Sequence, residues 1–348
     1  MSGGFQPIME YSERALDILS PLSVLGAVLR PGVSISADSP NRNPFKDTNR
    51  FIHLAYGSSS YIIHKHGLPF VIKKLHPHFD LSSQLVSAAI KEAKITAEVF
   101  KVFNTHAPAL SIPIKGQARN LPNGLGIPTP AIKMDLIYPL PKAVGRALIQ
   151  QFHPRRTASD MDPYVVEEIL NQYENNHCLV QPCLGLDVPP RKPGEFSINS
   201  MDLSLPELET IGIDTRSIAG AIGEAFALLH YRCELSSGGV QFAFGTSPTE
   251  KPCPDNSYTV GLYLFDFGGC ERINIAENAD RLTLAIVDKM LEPGVRKFIP
   301  SPLRSPALYK IFKDSYVEYA KNVIDDEWSF TPHNVMTQYE IRVVRLFL

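Results

Sequence analysis

The hydrophobic positions first follow a helical period near the N-terminus of the chain. Residues 11–29 carry apolar side chains three and four positions apart, which predicts a leading helix. A stretch rich in Pro, Ser and Asn follows and predicts a linker into the main body. The pattern therefore predicts that residues 1–50 form a helix and a linker ahead of the main domain.

The pattern then changes to strands. Residues 51–75 place β-branched and aromatic residues between two polar breaks, which predicts an antiparallel meander. Residues 81–103 return to helical spacing and predict one long helix on that sheet. A strand over 131–138 and a helix over 142–152, separated by a proline break, predict a connector to a second lobe. The first lobe is accordingly predicted to span residues 51–140.

The rest of the chain, residues 141–348, has a mostly helical pattern. The predicted helices span residues 162–173, 203–211, 214–231, 278–291 and 306–324. Between them, the segments VQFAF and YTVGLYLFDF predict a short pair of strands. A small antiparallel sheet with one long helix, followed by a mostly helical lobe, is the element order of the protein-kinase-like fold. The predicted fold class is therefore α+β, with two lobes.

Composition narrows the setting of the protein. The chain has 348 residues, 44% of them hydrophobic, and contains no run of about 20 apolar residues and no signal peptide, so we expect a cytoplasmic protein without a membrane partner. A net charge of −2 gives no general attraction to DNA. The five cysteines are thinly spread, and His177, Cys178 and Cys183 lack the second half of a zinc finger. The sequence therefore predicts reduced thiols and no metal site.

Four local signatures lie where the kinase-like fold would place its active site. FVIKKL resembles the strand that carries the phosphate-binding lysine, here Lys73, and KEAKITAEVF places Glu92 on the following helix. LFDFGG makes Asp266 a candidate metal ligand. RCELSSGGVQF aligns with the catalytic loop and places Glu234 at the base and Gly239 at the metal-binding Asn.

The phosphoryl-transfer machinery is nevertheless incomplete. The predicted phosphate loop YGSSSY has one glycine where a close backbone approach usually takes several. Glu234 is one methylene longer than the usual Asp, and Gly239 has no side chain to hold a metal. A kinase-like phosphotransferase that uses Mg-ATP and an inert pseudokinase binding module are therefore both open alternatives.

Longer motifs carry a family resemblance. The stretches MDLIYPLPKAVGRALI, NHCLVQPCLG, FSINSMDLSLPELETIGID, AIGEAFALLHYRCELSSGGVQFAFG and LYLFDFGGC resemble, in that order, a fungal family that bears a zinc-finger name and has no assigned function. Members of this family, or of one very close to it, are arginine-containing cyclodipeptide synthases. The resemblance implies a transferase of secondary metabolism that joins arginine from arginyl-tRNA to a second amino acid, also delivered as aminoacyl-tRNA, and closes a diketopiperazine.

The implied reaction favours carboxylates in the cleft. An aminoacyl ester is already activated, so this step needs no cofactor. A carboxylate accepts two parallel hydrogen bonds from a guanidinium, and the candidates are Asp135, Glu234 and Asp266, with Glu92 behind them. Lys73 would hold a phosphate at the 3′ end of the tRNA, or would only pair with Glu92.

Two further groups of residues are candidates for this chemistry. His230 and Tyr231 precede the predicted catalytic loop and are candidate proton relays, with helix capping as the alternative. A tRNA partner also needs basic surface, because phosphate contacts supply most of the affinity. The best local excess of positive charge, with solvated helix faces as the alternative interpretation, comprises Arg296, Lys297, Arg304, Lys310 and Lys313.

Overall fold

The structure of the chain is a computed structural model that consists of two sheets with surrounding helices. It describes residues 9–36, 51–56, 60–65, 68–76, 83–106, 119–120, 131–154, 162–172, 175–192, 196–248, 257–275, 278–324 and 331–347. Most of the predicted linker, and the glycine and the first two serines of the predicted phosphate loop (57–59), lie outside the described residues.

The larger sheet combines two strands of the N-terminal segment with four strands from the second half of the chain. Its six strands are β1 (Glu10–Ser12), β2 (Ser34–Ser36), β8 (Val180–Cys183), β9 (Met201–Ser204), β10 (Gln241–Pro248) and β11 (Ser257–Phe265). They are ordered β1-β2-β11-β10-β8-β9, and the central β10–β11 pair is the hairpin that the sequence predicts. The other four strands have only three or four residues each, which is too short for a two-residue period to show.

The N-terminal segment differs from the predicted single helix. It forms α1 (Glu13–Asp17) and α2 (Pro21–Val28), and each begins at a serine whose hydroxyl accepts a backbone N–H, as Ser20 does from Ser23 at 3.3 Å. The Ser-Pro pair starts a second helix because proline is favoured in the first turn and disfavoured further in. The segment also joins the larger sheet, where Ile35 of β2 pairs with Tyr258 of β11.

The smaller sheet is antiparallel throughout. Its strands are β3 (Phe51–Tyr56), β4 (Ser60–Lys65), β5 (Phe70–Leu75), β6 (Arg119–Asn120) and β7 (Ala131–Asp135). Their order is β3-β4-β5-β7-β6, so β5 lies in the middle of the sheet. Helix α3 (Ser83–His106) buries Ile95, Val99 and Phe103 on its apolar stripe. The predicted meander and long helix are confirmed.

Helices surround the larger sheet. They are α4 (Lys142–Phe152), α5 (Pro163–Leu170), α6 (Leu205–Ile211), α7 (Thr215–Ala227), α8 (Ala279–Met290), α9 (Pro293–Arg296), α10 (Pro306–Lys321) and α11 (Thr331–Phe347). Capping residues set both ends of helix α6. Ser204 and Glu207 form a capping box at its start, and Gly212 ends it with φ 80°. In the described part of the chain, no helix is long and apolar enough to cross a bilayer.

The cysteines of the described residues are buried thiols. Cys178, Cys183, Cys233 and Cys270 are all free, and burial raises the pKa of the Cys178 and Cys270 thiols to about 12. A thiol with so high a pKa stays protonated and is a poor nucleophile or metal ligand. The predicted reduced, structural thiols are confirmed for these four residues.

A buried polar network lies between α7 and α10. The turn after α7, Leu228–Arg232, is π-helical and places His230 and Tyr231 in the core. The hydroxyl of Tyr316 lies 2.9 Å from His230 Nδ1 and donates to the Tyr231 hydroxyl at 3.1 Å. His230 is fully buried, and burial lowers its pKa to about 3. These side chains therefore lie where no substrate reaches them, which contradicts their predicted role as proton relays.

Helices α7 and α10 approach so closely that one glycine of α7 has no room for a side chain. A Cβ built on Gly223 would lie 2.4 Å from the carbonyl oxygen of Phe312. The other interior glycine, Gly220, faces the flexible end of Ser315 at 3.2 Å. The same substitution therefore meets a rigid backbone at one position and a movable side chain at the other.

We expect Gly223→Ala to destabilise the protein by about 1–2 kcal/mol, because overpacking outweighs the helix propensity that alanine adds. Gly220→Ala is the matched control and should be neutral or stabilising by up to about 1 kcal/mol. Urea unfolding of both variants measures the difference. Equal stabilities would show that α7 and α10 are not in the close contact described.

The buried histidine predicts acid sensitivity. Its pKa is about 6.5 in the unfolded chain and about 3 in the folded protein, so the unfolded state binds more protons between these values. Stability from this group is therefore complete above pH 6.5 and falls as the pH is lowered, by about 2 kcal/mol at pH 5. His230→Phe should flatten the dependence of the unfolding free energy on pH between 7 and 5. Parallel curves for the variant and the natural protein would contradict the assignment.

Candidate functional site

A lysine in the middle of the smaller sheet joins two carboxylates from distant parts of the chain. Lys73 lies on β5, paired with Ile62 and Ile132 on the strands at either side. Its Nζ donates to Glu92 Oε1 on α3 at 2.7 Å and to Asp266 Oδ1 at 3.0 Å. We call these three residues, Lys73, Glu92 and Asp266, the Lys73 centre. Three of the predicted site residues are therefore brought together.

The Lys73 centre combines burial with an excess of negative charge. Burial by itself lowers the pKa of Lys73, but the charges of Asp266 and Glu92 outweigh it, so the pKa is raised and the ammonium stays charged. Burial raises the pKa of Glu92, and the neighbouring charge of Asp266 adds to this, while Lys73 opposes both. Asp266 has 45% of its side chain exposed. The centre therefore presents one accessible carboxylate and one fixed cation.

A glycine turn brings the elements of this centre together. Gly268 follows Asp266, and a Cβ at that position would lie 2.9 Å from Glu92 Oε2. Any larger residue would displace the Glu92 carboxylate, so the glycine allows Glu92 to reach Lys73. The FGG part of the sequence motif thus has a packing reason as well as a chemical one.

The second predicted acid, Glu234, lies on a loop beside this turn. Its carbonyl accepts from Ile273 N at 3.0 Å, and the next residue, Leu235, forms an antiparallel bridge with Arg272. The Glu234 side chain is exposed. Its backbone φ is 53° and that of Asp266 is 64°, in the left-handed region that costs a non-glycine residue about 1–3 kcal/mol. Such strain is concentrated at functional sites, and in the described residues only Ser200 shares it.

The position of the kinase metal-binding Asn has left-handed backbone and no side chain. Gly239 takes φ 74°, and a Cβ there would meet only ordinary contacts, at 3.5 Å from Cα and N of Gly269. Its neighbour Gly238 is the crowded position, because a Cβ there would lie 2.4 Å from the carbonyl oxygen of Gly269. Among the residues that the structure describes, no group of three His, Cys, Asp or Glu side chains is placed to hold a metal.

The other predicted substrate residue lies at the end of a strand. Asp135 is the last residue of β7, opposite Phe70 on β5. Burial raises the pKa of the Tyr138 phenol, and the Tyr258 phenol and the charge of Asp135 contribute further. Asp135 thus lies at the end of β7, where the predicted connector between the lobes begins. Among the described residues, no contact joins Asp135 to Lys73.

The predicted tRNA-binding residues are largely neutralised. Arg296 is half-buried at the end of α9. The other four form ion pairs: Lys297 with Asp202, Arg304 with Asp187, Lys310 with Asp314, and Lys313 with Glu340. Each pair reduces the positive charge that this region presents to a phosphate backbone. The geometry therefore does not favour this surface as the principal RNA contact.

An ion pair that no sequence motif indicates links α3 to the Glu234 loop. Arg272 binds both carboxylate oxygens of Glu98, which is on α3, and donates to the carbonyl of Cys233 at 3.1 Å. The hydrogen bond from Arg272 lowers the pKa of Glu98, although partial burial opposes it. Glu98 lies on the same helix as Glu92, so α3 is held at two points. Arg272 lies six residues after Asp266. Its position in the sequence does not indicate an ion pair, because the partner Glu98 is distant along the chain and is identified only by the fold.

Comparisons with known proteins do not assign this chain to a family. No family model and no curated protein matches the chain. One similar solved structure is the Rio2 kinase-ADP/Mg²⁺-phosphoaspartate complex from Chaetomium thermophilum, with 11% identity, 87% of this chain and 72% of that chain covered, and a TM-score of 0.28. Another is a microcompartment-associated aminopropanol kinase, with 9% identity, 87% and 95% coverage, and a TM-score of 0.21. Such scores carry no functional argument.

The architecture itself gives the fold class. An antiparallel sheet carries a lysine paired to a glutamate on the following helix, and the DFG aspartate follows the hairpin of the helical part. The chain has the α+β, protein-kinase-like fold with a sheet-based N-terminal lobe and a largely helical C-terminal part.

Proposed function

We propose that the chain is a group-transfer enzyme in which Lys73 binds a phosphate of the substrate where the two lobes meet. The observation that carries the proposal is the Lys73 centre, in which Nζ lies 2.7 Å from Glu92 and 3.0 Å from Asp266. Two carboxylates keep the ammonium charged and fix its position, and a fixed, permanently charged lysine suits a phosphate oxygen. ATP and the 3′ end of a tRNA both offer that chemistry.

The state of the metal position favours tRNA over ATP. Transfer from ATP needs magnesium between the phosphates, usually held by the DFG Asp and an Asn of the catalytic loop. Here Asp266 is present, but Gly239 has no side chain to hold the metal. An aminoacyl ester is already activated, so its transfer needs neither ATP nor that metal ligand. The missing side chain and the family resemblance both support a tRNA donor in this proposal.

The finer proposal is an aminoacyl-tRNA-dependent synthase of arginine-containing cyclodipeptides. The α-amine of one aminoacyl-tRNA attacks the ester carbonyl of the other. An amide forms, and the tRNA of the attacked ester leaves, its ribose oxygen taking up a proton. The free amine of the resulting dipeptidyl-tRNA then attacks its own ester, which closes the diketopiperazine and releases the second tRNA.

The carboxylates have distinct places in this scheme. Glu234 is exposed on a strained loop and accepts the proton of the attacking ammonium group. Asp266 binds the guanidinium of arginine through its exposed carboxylate, the type of acceptor that a guanidinium pairs with. Lys73 fixes the terminal phosphate and, through it, the position of the ester.

The test is production of cyclo-Arg-Xaa. We expect bacteria that express the chain, and thus supply charged tRNAs, to accumulate such species by mass spectrometry. Glu234→Gln should reduce the product about 100-fold or more, as expected for loss of a general base, and Asp266→Asn should act similarly. Glu318→Gln, an exposed carboxylate on α10, is the control and should leave the yield unchanged. Full product from the Glu234 and Asp266 variants, or none from the natural protein, would refute the proposal.

The same purified protein decides between the two donors. A synthase should lose activity when RNase is added and should show neither magnesium-dependent ATP hydrolysis nor a thermal shift with Mg-ATP. A kinase-like phosphotransferase, the second candidate, is supported by the same Lys73–Glu92 pair and would hydrolyse ATP in a way that Lys73→Met abolishes. A thermal shift without turnover of either donor would identify an inert binding module.

A further inference from the structure

A basic groove lies on the exposed side of α3, next to the candidate site. Lys91 and Lys94 stand one helical turn apart on α3, and Arg272 faces them from the segment after Asp266. Ile90 and Ile95 complete much of its floor, and the space has a volume of about 330 Å³. We call this surface the α3 groove, defined by Lys91, Lys94 and Arg272.

The α3 groove keeps its positive charge. Lys91 and Lys94 are exposed, and neither forms an ion pair with any residue that the structure describes. Arg272 is paired with Glu98, so the charges of these two residues offset each other. Lys91 and Lys94 supply the positive charge of the groove, whereas four of the five cations that the sequence favoured are paired.

The residues of the α3 groove adjoin those of the candidate site. Lys91 directly precedes Glu92, whose side chain reaches Lys73 on the other side of the helix. Arg272 is bridged to Leu235, the residue after Glu234, and its charge interacts with that of Glu234. The groove and the site therefore share α3 and the segment that contains Arg272.

We propose that the α3 groove binds the backbone phosphates of the tRNA acceptor strand, and this inference rests on the proposed function. Two ammonium groups that have no ion-pair partner in the described part of the chain attract phosphates irrespective of base sequence. The chain as a whole has a net charge of −2, so RNA must be attracted by a local excess such as this one. The groove supplies that attraction next to the residues assigned to the chemistry.

The experiment measures the salt dependence of RNA binding by the full chain. The probe is a fluorescently labelled transcript of an arginine tRNA, and its anisotropy gives the affinity at several salt concentrations. The test variant is Lys91→Gln with Lys94→Gln. Because each phosphate contact of a single strand contributes about 0.7 to the slope of log affinity against log salt, the slope should fall by about 1.4 and the affinity roughly tenfold. Thermal unfolding of the variant checks that it remains folded.

A matched control removes the same charge elsewhere. Lys142→Gln with Lys321→Gln changes two exposed lysines, on α4 and α10, and should leave both slope and affinity as they are. An unchanged slope in the α3 variant, or an equal loss in the control variant, would overturn the assignment. Competition by inorganic triphosphate at equimolar amounts would also overturn it, because a multi-phosphate strand should bind far more tightly than a small anion.

The outcome separates this inference from the proposed function. If the tRNA binds through the groove but no cyclo-Arg-Xaa forms, the reaction is wrong and the groove assignment stands. If the product forms and the α3 variant binds tRNA with the slope of the natural protein, the reaction stands and the groove assignment falls.

Discussion

The ion pair of Lys73 with Glu92 and Asp266 is the interaction on which the arrangement of the site depends. It joins the middle strand of the smaller sheet to α3 and to the turn that follows β11 of the larger sheet. Removing one partner of a largely buried charge group leaves the others uncompensated, which is far more costly than the net worth of the group. The lysine therefore has a structural role whatever substrate it binds, and the accessible carboxylate of Asp266 is the part left for chemistry.

A second constraint comes from glycine. Gly268 gives Glu92 room to reach the lysine, while Gly238, Gly239 and Gly269 bring the two loops into backbone contact. The crowded position is Gly238, whereas a Cβ at Gly239 would meet only ordinary contacts at 3.5 Å. The site therefore lacks the metal-binding side chain itself, and an Asn placed at Gly239 would have to adopt left-handed backbone.

Sequence reasoning succeeded where the signal is local or the spacing is characteristic. The meander, α3, the β10–β11 hairpin and the Lys73–Glu92 pair follow from periodicity and motif spacing, and the structure confirms them. The short strands β1, β2, β8 and β9 carry too few residues for a period, and their pairing is set by tertiary contacts. His230 was misassigned because the helical pattern that precedes it does not reveal that the π turn directs the side chain inward, towards Tyr316.

The distribution of charge shows why a basic cluster in a sequence is a poor guide to a binding surface. The cations of the last third of the chain meet carboxylates that are mostly distant in sequence, such as Asp187, Asp202 and Glu340. On α3, by contrast, Arg272 pairs with Glu98, and Lys91 and Lys94 form no ion pair with a residue of the described structure. An ammonium group outside an ion pair retains its full attraction for phosphate, so these two lysines matter more than the four paired cations of the last third.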